Sequence, residues 1–254
     1  MKSLVKVRGL TIGEGIPKIC VPMIGTTDAE LLEEAETLAA LRVDMAEWRV
    51  DLFDHVEDIR QVKTTLKKLR EILIDIPILF TFRSAKEGGE REIAAKDYMG
   101  LIKGIAETGQ VDLVDVELFQ RESDVKELIH TAHDNNVGVI VSNHDFEKTP
   151  PVEEIVLRLR KAQALGGDIP KIAVMPKDAG DVLKLLHATY EMNDHYADRP
   201  IITMAMAGKG VVSRLSGEVF GSAVTFAAVK KVSAPGQIGV AELKHALRVI
   251  HNSL

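Results

Sequence analysis

The chain has 254 residues, of which 46% are hydrophobic and 28% are charged, so it can bury a large core and is not intrinsically disordered. Its formal net charge of −6 argues against a general nucleic-acid binder or a protein bound to anionic membranes, because both need a basic surface. With Cys20 as its only cysteine the chain has no internal disulfide or Cys-rich metal site, which suits a reducing cytoplasm, and no stretch approaches the ~20 apolar residues of a membrane helix.

The chain begins with a predicted β-hairpin. Residues 4–12 alternate apolar and polar side chains on both sides of Arg8-Gly9, a pattern typical of two short strands joined by a tight turn. We expect this hairpin to close one end of whatever follows.

The rest of the chain repeats one pattern, an apolar run followed by a segment with helical periodicity. Eight runs are predicted as strands: Lys18 to Ile24, Met45 to Asp51, Ile76 to Arg83, Leu113 to Leu118, Gly138 to His144, Ile169 to Met175, Pro200 to Ala207 and Ser222 to Val229. Eight segments are predicted as helices: Ala29 to Leu41, Ile59 to Ile74, Ala95 to Glu107, Ser123 to Asn135, Pro151 to Leu165, Ala179 to Asn193, Gly210 to Gly221 and Val240 to His251.

This alternation predicts an α/β fold, a (β/α)₈ TIM barrel formed by residues 1–254 as a single domain. The nearly continuous apolar strands suit a parallel sheet that helices cover on its outer face. A doubly wound open sheet is the alternative, and it is less favoured because eight even repeats leave no obvious edge strand.

Polar residues at the carboxyl ends of barrel strands are candidates for chemistry, because active sites form there. In the second predicted strand Glu47, Arg49 and Asp51 alternate with Trp48 and Val50. If the two apolar residues face the helices, all three charges point into the barrel.

The third and fifth strands end in ionisable residues. Arg83 closes the third strand, and Glu87 follows in a loop that Gly88-Gly89 would leave free to fold over the barrel mouth. His144 ends the fifth strand, next to the strand that carries Lys171. Because neighbouring strands lie about 4.8 Å apart, an imidazole and an amine could act on the same substrate atoms.

Lys171 is the one charge in a short apolar run between Asp168 and Pro176. Burial disfavours the charged form of a lysine, which would make this side chain a nucleophilic amine. Alternatively, Pro170 marks the start of the strand and Lys171 extends to solvent at its end. By itself the run favours the second interpretation.

The last two strands add further candidates. Met206 lies near the end of the seventh strand, and Gly208-Lys209-Gly210 leads into a helix that carries Arg214, which could bind a carboxylate through two hydrogen bonds. Phe226 lies on the eighth strand, and the small-residue loop 230–237 could act as a lid. The histidines form no metal-binding helix motif, so metal binding is poorly supported.

Several of these segments, taken together, resemble type I 3-dehydroquinate dehydratase. The matching stretches, in chain order, are Glu47 to Asp51, Thr81 to Arg83, Ser142 to Phe146, Lys171 to Ala173, Met206 to Gly208, Ser213-Arg214 and Ser233 to Gln237. The resemblance implies a (β/α)₈ barrel, usually a homodimer in the cytoplasm, that converts 3-dehydroquinate to 3-dehydroshikimate in the shikimate pathway without a metal or organic cofactor.

The resemblance also implies roles for individual residues. Lys171 is similar to the lysine that forms the Schiff base, His144 to the general acid and base, and Glu87 to the carboxylate that orients the histidine. Substrate contacts are implied for a larger set: Glu47, Arg49 and Arg83 at the hydroxyls, Arg214 at the carboxylate, Met206 and Phe226 as pocket walls, and Ser233 and Gln237 in a closing loop. The arginines are expected to attract the anionic substrate and to favour a neutral Lys171 amine.

Two other functions stay open. A class I aldolase uses the same barrel and a lysine imine but breaks a carbon–carbon bond, and a barrel with this pocket could also bind a metabolite without catalysis. Dehydration of 3-dehydroquinate would separate the predicted enzyme from both.

Overall fold

A computed structural model of the chain describes residues 2–229 and 238–254. Its strands, in chain order, are β1 (Val5–Val7), β2 (Leu10–Ile12), β3 (Lys18–Met23), β4 (Met45–Arg49), β5 (Ile78–Thr81), β6 (Leu113–Glu117), β7 (Gly138–Asp145), β8 (Ile169–Val174), β9 (Ile202–Ala205), β10 (Val224–Ala228) and β11 (Ile238–Gly239). Each of the eight predicted barrel strands is present as β3 to β10, with ends that differ by a few residues.

The strands β3 to β10 form a closed parallel barrel. From β3 to β9 each strand pairs in parallel with the next along the chain, β10 pairs with β3, and β11 pairs in parallel with β10. The sheet closes between β9 and β10 through the parallel bridge of Ile201 to Ser222, beside a 2.8 Å hydrogen bond from Ala223 N to Ile201 O. This closure confirms the predicted (β/α)₈ barrel and excludes the open sheet.

Helices cover the outer face of the sheet: α1 (Asp28–Leu41), α2 (Ile59–Ile72), α3 (Ala95–Ala106), α4 (Glu122–Asp134), α5 (Val152–Ala164), α6 (Ala179–Glu191), α7 (Val211–Leu215), α8 (Gly217–Phe220) and α9 (Val240–His251). The predicted helix from Gly210 to Gly221 is wrong as a single element, because the chain leaves helical geometry at Ser216 and resumes as α8. The sequence around that break combines serine, glycine and valine, which are weak helix formers.

The barrel has an inner and an outer core, as the strand alternation predicts. Trp48 and Val50 lie in the outer core between sheet and helices, where the Trp48 ring meets Phe53 and Phe80 edge-on at 5.7 and 5.6 Å between ring centroids. Leu79 belongs to a separate inner core, which fills the interior of the barrel with one or two apolar side chains from each strand. Alternate residues along a strand therefore face opposite sides of the sheet, one set towards the helices and the other towards the barrel interior.

The amino-terminal hairpin closes the amino ends of the strands. The strands β1 and β2 pair antiparallel, and Arg8 (φ 43°) and Gly9 (φ 78°) form the turn between them, with the left-handed backbone that a two-residue hairpin turn requires. Ile12 lies in the inner core, and Val5, Val7 and Leu10 pack against it. The prediction that the hairpin closes one end of the barrel is confirmed, and the carboxyl ends of the strands form the open face.

Aspartates fasten the amino ends of alternate strands. Asp44, Asp112 and Asp168 each immediately precede a strand and accept the backbone N–H of the preceding strand at 2.8, 2.8 and 2.7 Å. These bonds satisfy buried backbone donors at the start of the sheet. The result is a rigid amino end opposite the open face.

Candidate active site

A cavity of about 230 Å³ opens at the carboxyl ends of the strands. Nine of the eleven predicted site residues line it: Glu47, Arg49, Arg83, Glu87, His144, Lys171, Met206, Arg214 and Phe226. The other two, Ser233 and Gln237, lie outside the described residues. Side chains that the sequence spreads over 180 positions thus meet in one pocket because parallel strands end on the same face.

Lys171 points into the barrel from β8. Its side chain is 4% exposed, and its Nζ lies 3.4 Å from Asp115 Oδ2 and 4.7 Å from the centroid of the Phe226 ring. The interpretation of Lys171 as a strand-end residue that extends to solvent is therefore wrong. Pro170 marks the strand start, but Lys171 faces the interior and lines the pocket.

His144 is held by Glu87 at the end of β7. Glu87 Oε2 accepts the backbone N–H of His144 at 3.0 Å and lies 2.9 Å from its Nδ1. Because this oxygen already acts as an acceptor, Nδ1 is best placed to donate its hydrogen, which leaves a lone pair on Nε2. Such an imidazole can take a proton from a substrate.

Burial shifts both members of this pair towards their neutral forms. It lowers the pKa of His144 well below its usual value, and the nearby charges of Arg83, Lys171 and Arg49 add to that effect. Burial also raises the pKa of Glu87 to about 8, against the opposing charge of Arg83. Glu87 Oε1 is buried without a hydrogen-bond partner among the described residues, an environment that suits a protonated acid.

The turn that carries Glu87 is packed rather than loose. Gly88 has φ 83°, and a Cβ there would lie 2.3 Å from the ring of Phe146, which stacks beside His144. A Cβ on Gly89 would lie 1.9 Å from Arg83 O. The expectation of a loop free to fold over the mouth is wrong, because both glycines permit close contact that fixes Glu87.

Arg83 is enclosed by acidic side chains. Its two terminal nitrogens contact Asp115 at 2.8 Å, Glu117 at 2.9 Å and Glu87 at 3.4 Å, and one of them also donates to Ser142 Oγ at 3.1 Å. Burial alone would lower the pKa of Arg83, but these carboxylates outweigh it and raise that pKa. The guanidinium therefore organises an acidic cluster at the base of the pocket.

Sequence reasoning missed three members of this cluster: Asp115, Glu117 and Ser142. A signal was present, since Asp115 and Glu117 alternate with Val116 just as the charges alternate in β4. Val116 lies in the outer core, so the two acids face the interior. The apolar residues of the segment from Leu113 to Leu118 indicate a strand but do not by themselves identify its two acids as site residues.

The three charges predicted to point inward from the second strand divide between two elements. Glu47 and Arg49 lie on β4 and line the cavity, and Glu47 accepts a 2.9 Å hydrogen bond from Thr81. Asp51 lies beyond the strand, in a single 3₁₀ turn formed by Val50–Leu52, so its placement on the strand was wrong. There it binds Arg49 through both oxygens at 2.9 and 2.8 Å and fixes the guanidinium at the pocket wall.

Arg214 enters the pocket from α7 and is 1% exposed. Burial lowers its pKa to about 10, so it remains a cation at neutral pH. Ser213 holds the preceding turn, since its Oγ accepts from Ala205 N at 2.9 Å and donates to Gly210 O at 2.7 Å. The position suits a ligand carboxylate at the pocket wall.

No group of three or more His, Cys, Asp or Glu side chains in the described part of the chain is arranged to hold a metal ion. Across residues 2–229 and 238–254, every helix is too short or too polar to cross a membrane.

The family model of type I 3-dehydroquinase matches residues 19–254. Among curated proteins, 3-dehydroquinate dehydratase from Bacillus licheniformis is 59% identical over 254 residues, which is 100% of both chains. The enzyme of the same name from Listeria innocua is 60% identical over 247 residues, or 97% of this chain and 98% of that protein.

Solved structures show the same relationship. Type I 3-dehydroquinate dehydratase from Clostridium difficile, crystallised with covalently modified comenic acid, has a TM-score of 0.98 at 56% identity and covers 100% of both chains. 3-Dehydroquinate dehydratase from Geobacillus kaustophilus has a TM-score of 0.96 at 40% identity, with 99% of each chain covered. The chain belongs to the type I 3-dehydroquinase family.

Proposed function

We propose that this protein is a 3-dehydroquinate dehydratase of the shikimate pathway, which removes water from 3-dehydroquinate through a Schiff base on Lys171. One observation carries the assignment of residues: the buried Lys171 amine shares a single pocket with His144, and Glu87 holds the imidazole at 2.9 Å. An amine and a proton shuttle in one pocket are the groups that imine-based elimination needs.

The reaction begins when the uncharged amine of Lys171 attacks the C3 ketone. The former ketone oxygen takes up one proton from solvent and leaves as water, which gives a cationic imine that withdraws electrons and makes the C2 proton more acidic. The neutral imidazole of His144 removes that proton and later gives it to the C1 hydroxyl, which leaves as water. Hydrolysis of the imine then releases the conjugated product and restores the lysine.

The remaining polar residues bind the substrate. Arg214 holds the carboxylate at the pocket wall, and Glu47, Arg49 and Arg83 face the hydroxyl groups, while Met206 and Phe226 supply apolar walls. Asp51 supports this arrangement because both of its carboxylate oxygens accept hydrogen bonds from the Arg49 guanidinium. Contacts of Ser233 and Gln237 with the substrate are proposed from the family resemblance alone.

The proposal is tested by incubating the protein with 3-dehydroquinate and borohydride and then locating the added mass. A reduced adduct on Lys171, together with formation of the conjugated enone in the absence of borohydride, is the expected result. An adduct on another lysine would overturn the assignment of the nucleophile. Binding without enone formation would instead favour a metabolite-binding barrel, and carbon–carbon cleavage would favour an aldolase.

Replacement of the nucleophile gives a sharper result. In Lys171→Ala we expect turnover to fall by more than about 10³-fold while substrate binding stays measurable by calorimetry, because the other binding groups remain. Lys86→Ala is the matched control, since Lys86 is an exposed lysine in the turn beside the pocket. Full activity in Lys171→Ala would refute the covalent mechanism.

We also propose that the chain acts as a single barrel domain, as a homodimer and in the cytoplasm. The family resemblance supports the dimer, and the single buried cysteine, Cys20, fits a reducing compartment. The mass of the protein measured by light scattering tests the dimer, and a monomer at micromolar concentration would contradict it.

A further inference from the structure

The reacting nitrogen of Lys171 contacts two groups that stabilise positive charge. Asp115 Oδ2 is 3.4 Å from Nζ, and Nζ lies over the face of the Phe226 ring, 4.7 Å from the ring centroid. A carboxylate and the face of an aromatic ring both attract a cation, and they do so more strongly in a buried site than in water. This corner of the pocket is therefore built for a charged nitrogen.

Asp115 is fixed in the orientation that this role requires. Its side chain is 0% exposed, and its Oδ1 accepts hydrogen bonds from Ser142 Oγ at 2.6 Å and from Arg83 Nη2 at 2.8 Å. These bonds hold Oδ1, so Oδ2 is the oxygen directed at Lys171. Ser142 on β7 pairs directly with Lys171 on β8. The residue that orients the Asp115 carboxylate is therefore the strand neighbour of the lysine that this carboxylate contacts.

Asp115 also keeps its charge. Burial would raise the pKa of Asp115, but the charges of Arg83 and Lys171 and the hydrogen bond from Ser142 outweigh burial and hold that pKa below its usual value. Glu87 differs, because burial raises its pKa to about 8. Of these two acids beside Arg83, Asp115 is the one that remains an anion.

We propose that Asp115 is the counter-ion of the Schiff-base nitrogen, holding Lys171 before the reaction and stabilising the cationic imine formed with the keto substrate. This inference rests on the proposed Schiff-base function. Asp115 takes no proton in this role. The uncharged amine adds to the ketone, the former ketone oxygen takes up one proton from solvent and leaves as water, and the positive charge is left on nitrogen, opposite a carboxylate that needs no reorientation when the imine forms.

The proposal changes the interpretation of the arginines. They were expected to favour an uncharged lysine, but three carboxylates surround Arg83 and one of these also faces Lys171. Asp115 therefore places a negative charge beside the nitrogen, which opposes the effect of the arginines. Other ionisable groups around this pair are Arg83 and Glu87 after β5, Glu117 on β6, His144 on β7, Glu47 on β4, Cys20 on β3 and Tyr98 on α3.

The test compares Asp115→Asn with Glu117→Gln. Both substitutions remove one carboxylate from the same face of β6 and one partner of Arg83, but only Asp115 contacts Lys171. The measurement is the fraction of Lys171 trapped by borohydride in the presence of 3-dehydroquinate, followed by intact mass across a pH series. If Asp115 had only a structural role, Asp115→Asn would lower the fraction of trapped Lys171 at every pH without shifting the pH dependence of trapping.

In Asp115→Asn we expect the trapping profile to move to lower pH by about one to two units, because both cationic forms of the nitrogen lose a stabilising charge. Turnover should fall at least about tenfold. The profile of Glu117→Gln should move by less than about half a unit. Superimposable profiles of the two variants, or wild-type turnover in Asp115→Asn, would overturn the counter-ion role.

Ser142→Ala provides a second test if Asp115→Asn does not fold. It keeps the carboxylate charged but removes the 2.6 Å hydrogen bond that orients it, so adduct formation should slow about two- to tenfold at every pH. A wild-type rate would count against the proposal. Absence of any Lys171 adduct in the wild type would refute the proposed function itself, whereas a wild-type adduct with an unshifted Asp115→Asn profile refutes only the counter-ion.

Discussion

Neighbouring charges decide which buried ionisable residues of this site keep their charge. His144 and Glu87 shift towards neutral forms because burial dominates their surroundings. Asp115 is at least as buried, yet its pKa falls because Arg83 and Lys171 face it. The difference separates the proposed base and its partner from the proposed counter-ion within one pocket.

The raised pKa of Glu87 predicts a pH dependence of stability. Its pKa is about 8 in the folded protein against a usual 4.5, so between these values the folded state holds a proton that the unfolded chain has released. The stability contributed by this proton is complete below pH 4.5 and is lost as the pH rises to about 8. His144 acts in the opposite sense, because its lowered pKa costs stability only as the pH falls below its usual 6.5.

Between pH 6.5 and 8 the wild type should therefore lose roughly 1–2 kcal/mol of stability, or a few degrees in Tm, that Glu87→Gln should not lose. Thermal melts across this range measure the difference. Glu90→Gln changes an exposed glutamate near the same turn and should follow the wild type. Parallel curves for wild type and Glu87→Gln would contradict the assignment of the proton to Glu87.

At the scale of elements, the turn between β5 and α3 couples packing to chemistry. Gly88 allows the Phe146 ring to lie against the turn, and the same turn presents Glu87 to His144. A side chain at Gly88 must displace either the ring or the turn. Either movement disturbs the 2.9 Å contact that orients the imidazole.

Gly88→Ala should lower stability by about 1–3 kcal/mol and turnover by at least about tenfold, because it adds a Cβ at positive φ and a clash 2.3 Å from Phe146. Gly100→Ala is the control: it lies in α3, and a Cβ there meets nothing within 4 Å. That variant should gain roughly 0.5–1 kcal/mol. Denaturation and steady-state kinetics measure both effects. Wild-type turnover in Gly88→Ala would show that the packing of the turn does not position the site.

The elements that the sequence predicts well are those defined by local periodicity. Alternation in β4 assigns Trp48 outward and Glu47 inward without any knowledge of the partner strands. The contact of Asp115 with Lys171 joins residues 56 positions apart and depends on the stagger of three strands, which no local pattern specifies. The packing of Gly88 against Phe146 is hidden for the same reason, since glycine in a loop indicates flexibility unless its tertiary neighbour is known.

At the scale of the whole molecule, the two ends of the barrel have separate tasks. The carboxyl ends of the strands carry the pocket and its buried charges, and the amino ends carry the hairpin and the aspartates that cap the strands. Substitutions at the amino end should therefore change stability without changing the chemistry of the folded molecules.

Asp112 tests this separation because it joins three elements at the amino end. It binds Arg8 of the hairpin turn at 2.6 Å, Arg70 of α2 at 2.7 Å and the backbone N–H of Ile78 on β5 at 2.8 Å. Asp112→Asn leaves two arginines without their carboxylate, so we expect a loss of about 2–4 kcal/mol in unfolding free energy. Asp75→Asn changes an exposed aspartate at the same end, and its unfolding free energy should stay within about 0.5 kcal/mol of wild type.

In both variants kcat per folded molecule should remain within about twofold of wild type, because the cavity lies at the opposite end of the strands. A fall in kcat without a fall in stability would show that the two ends are coupled.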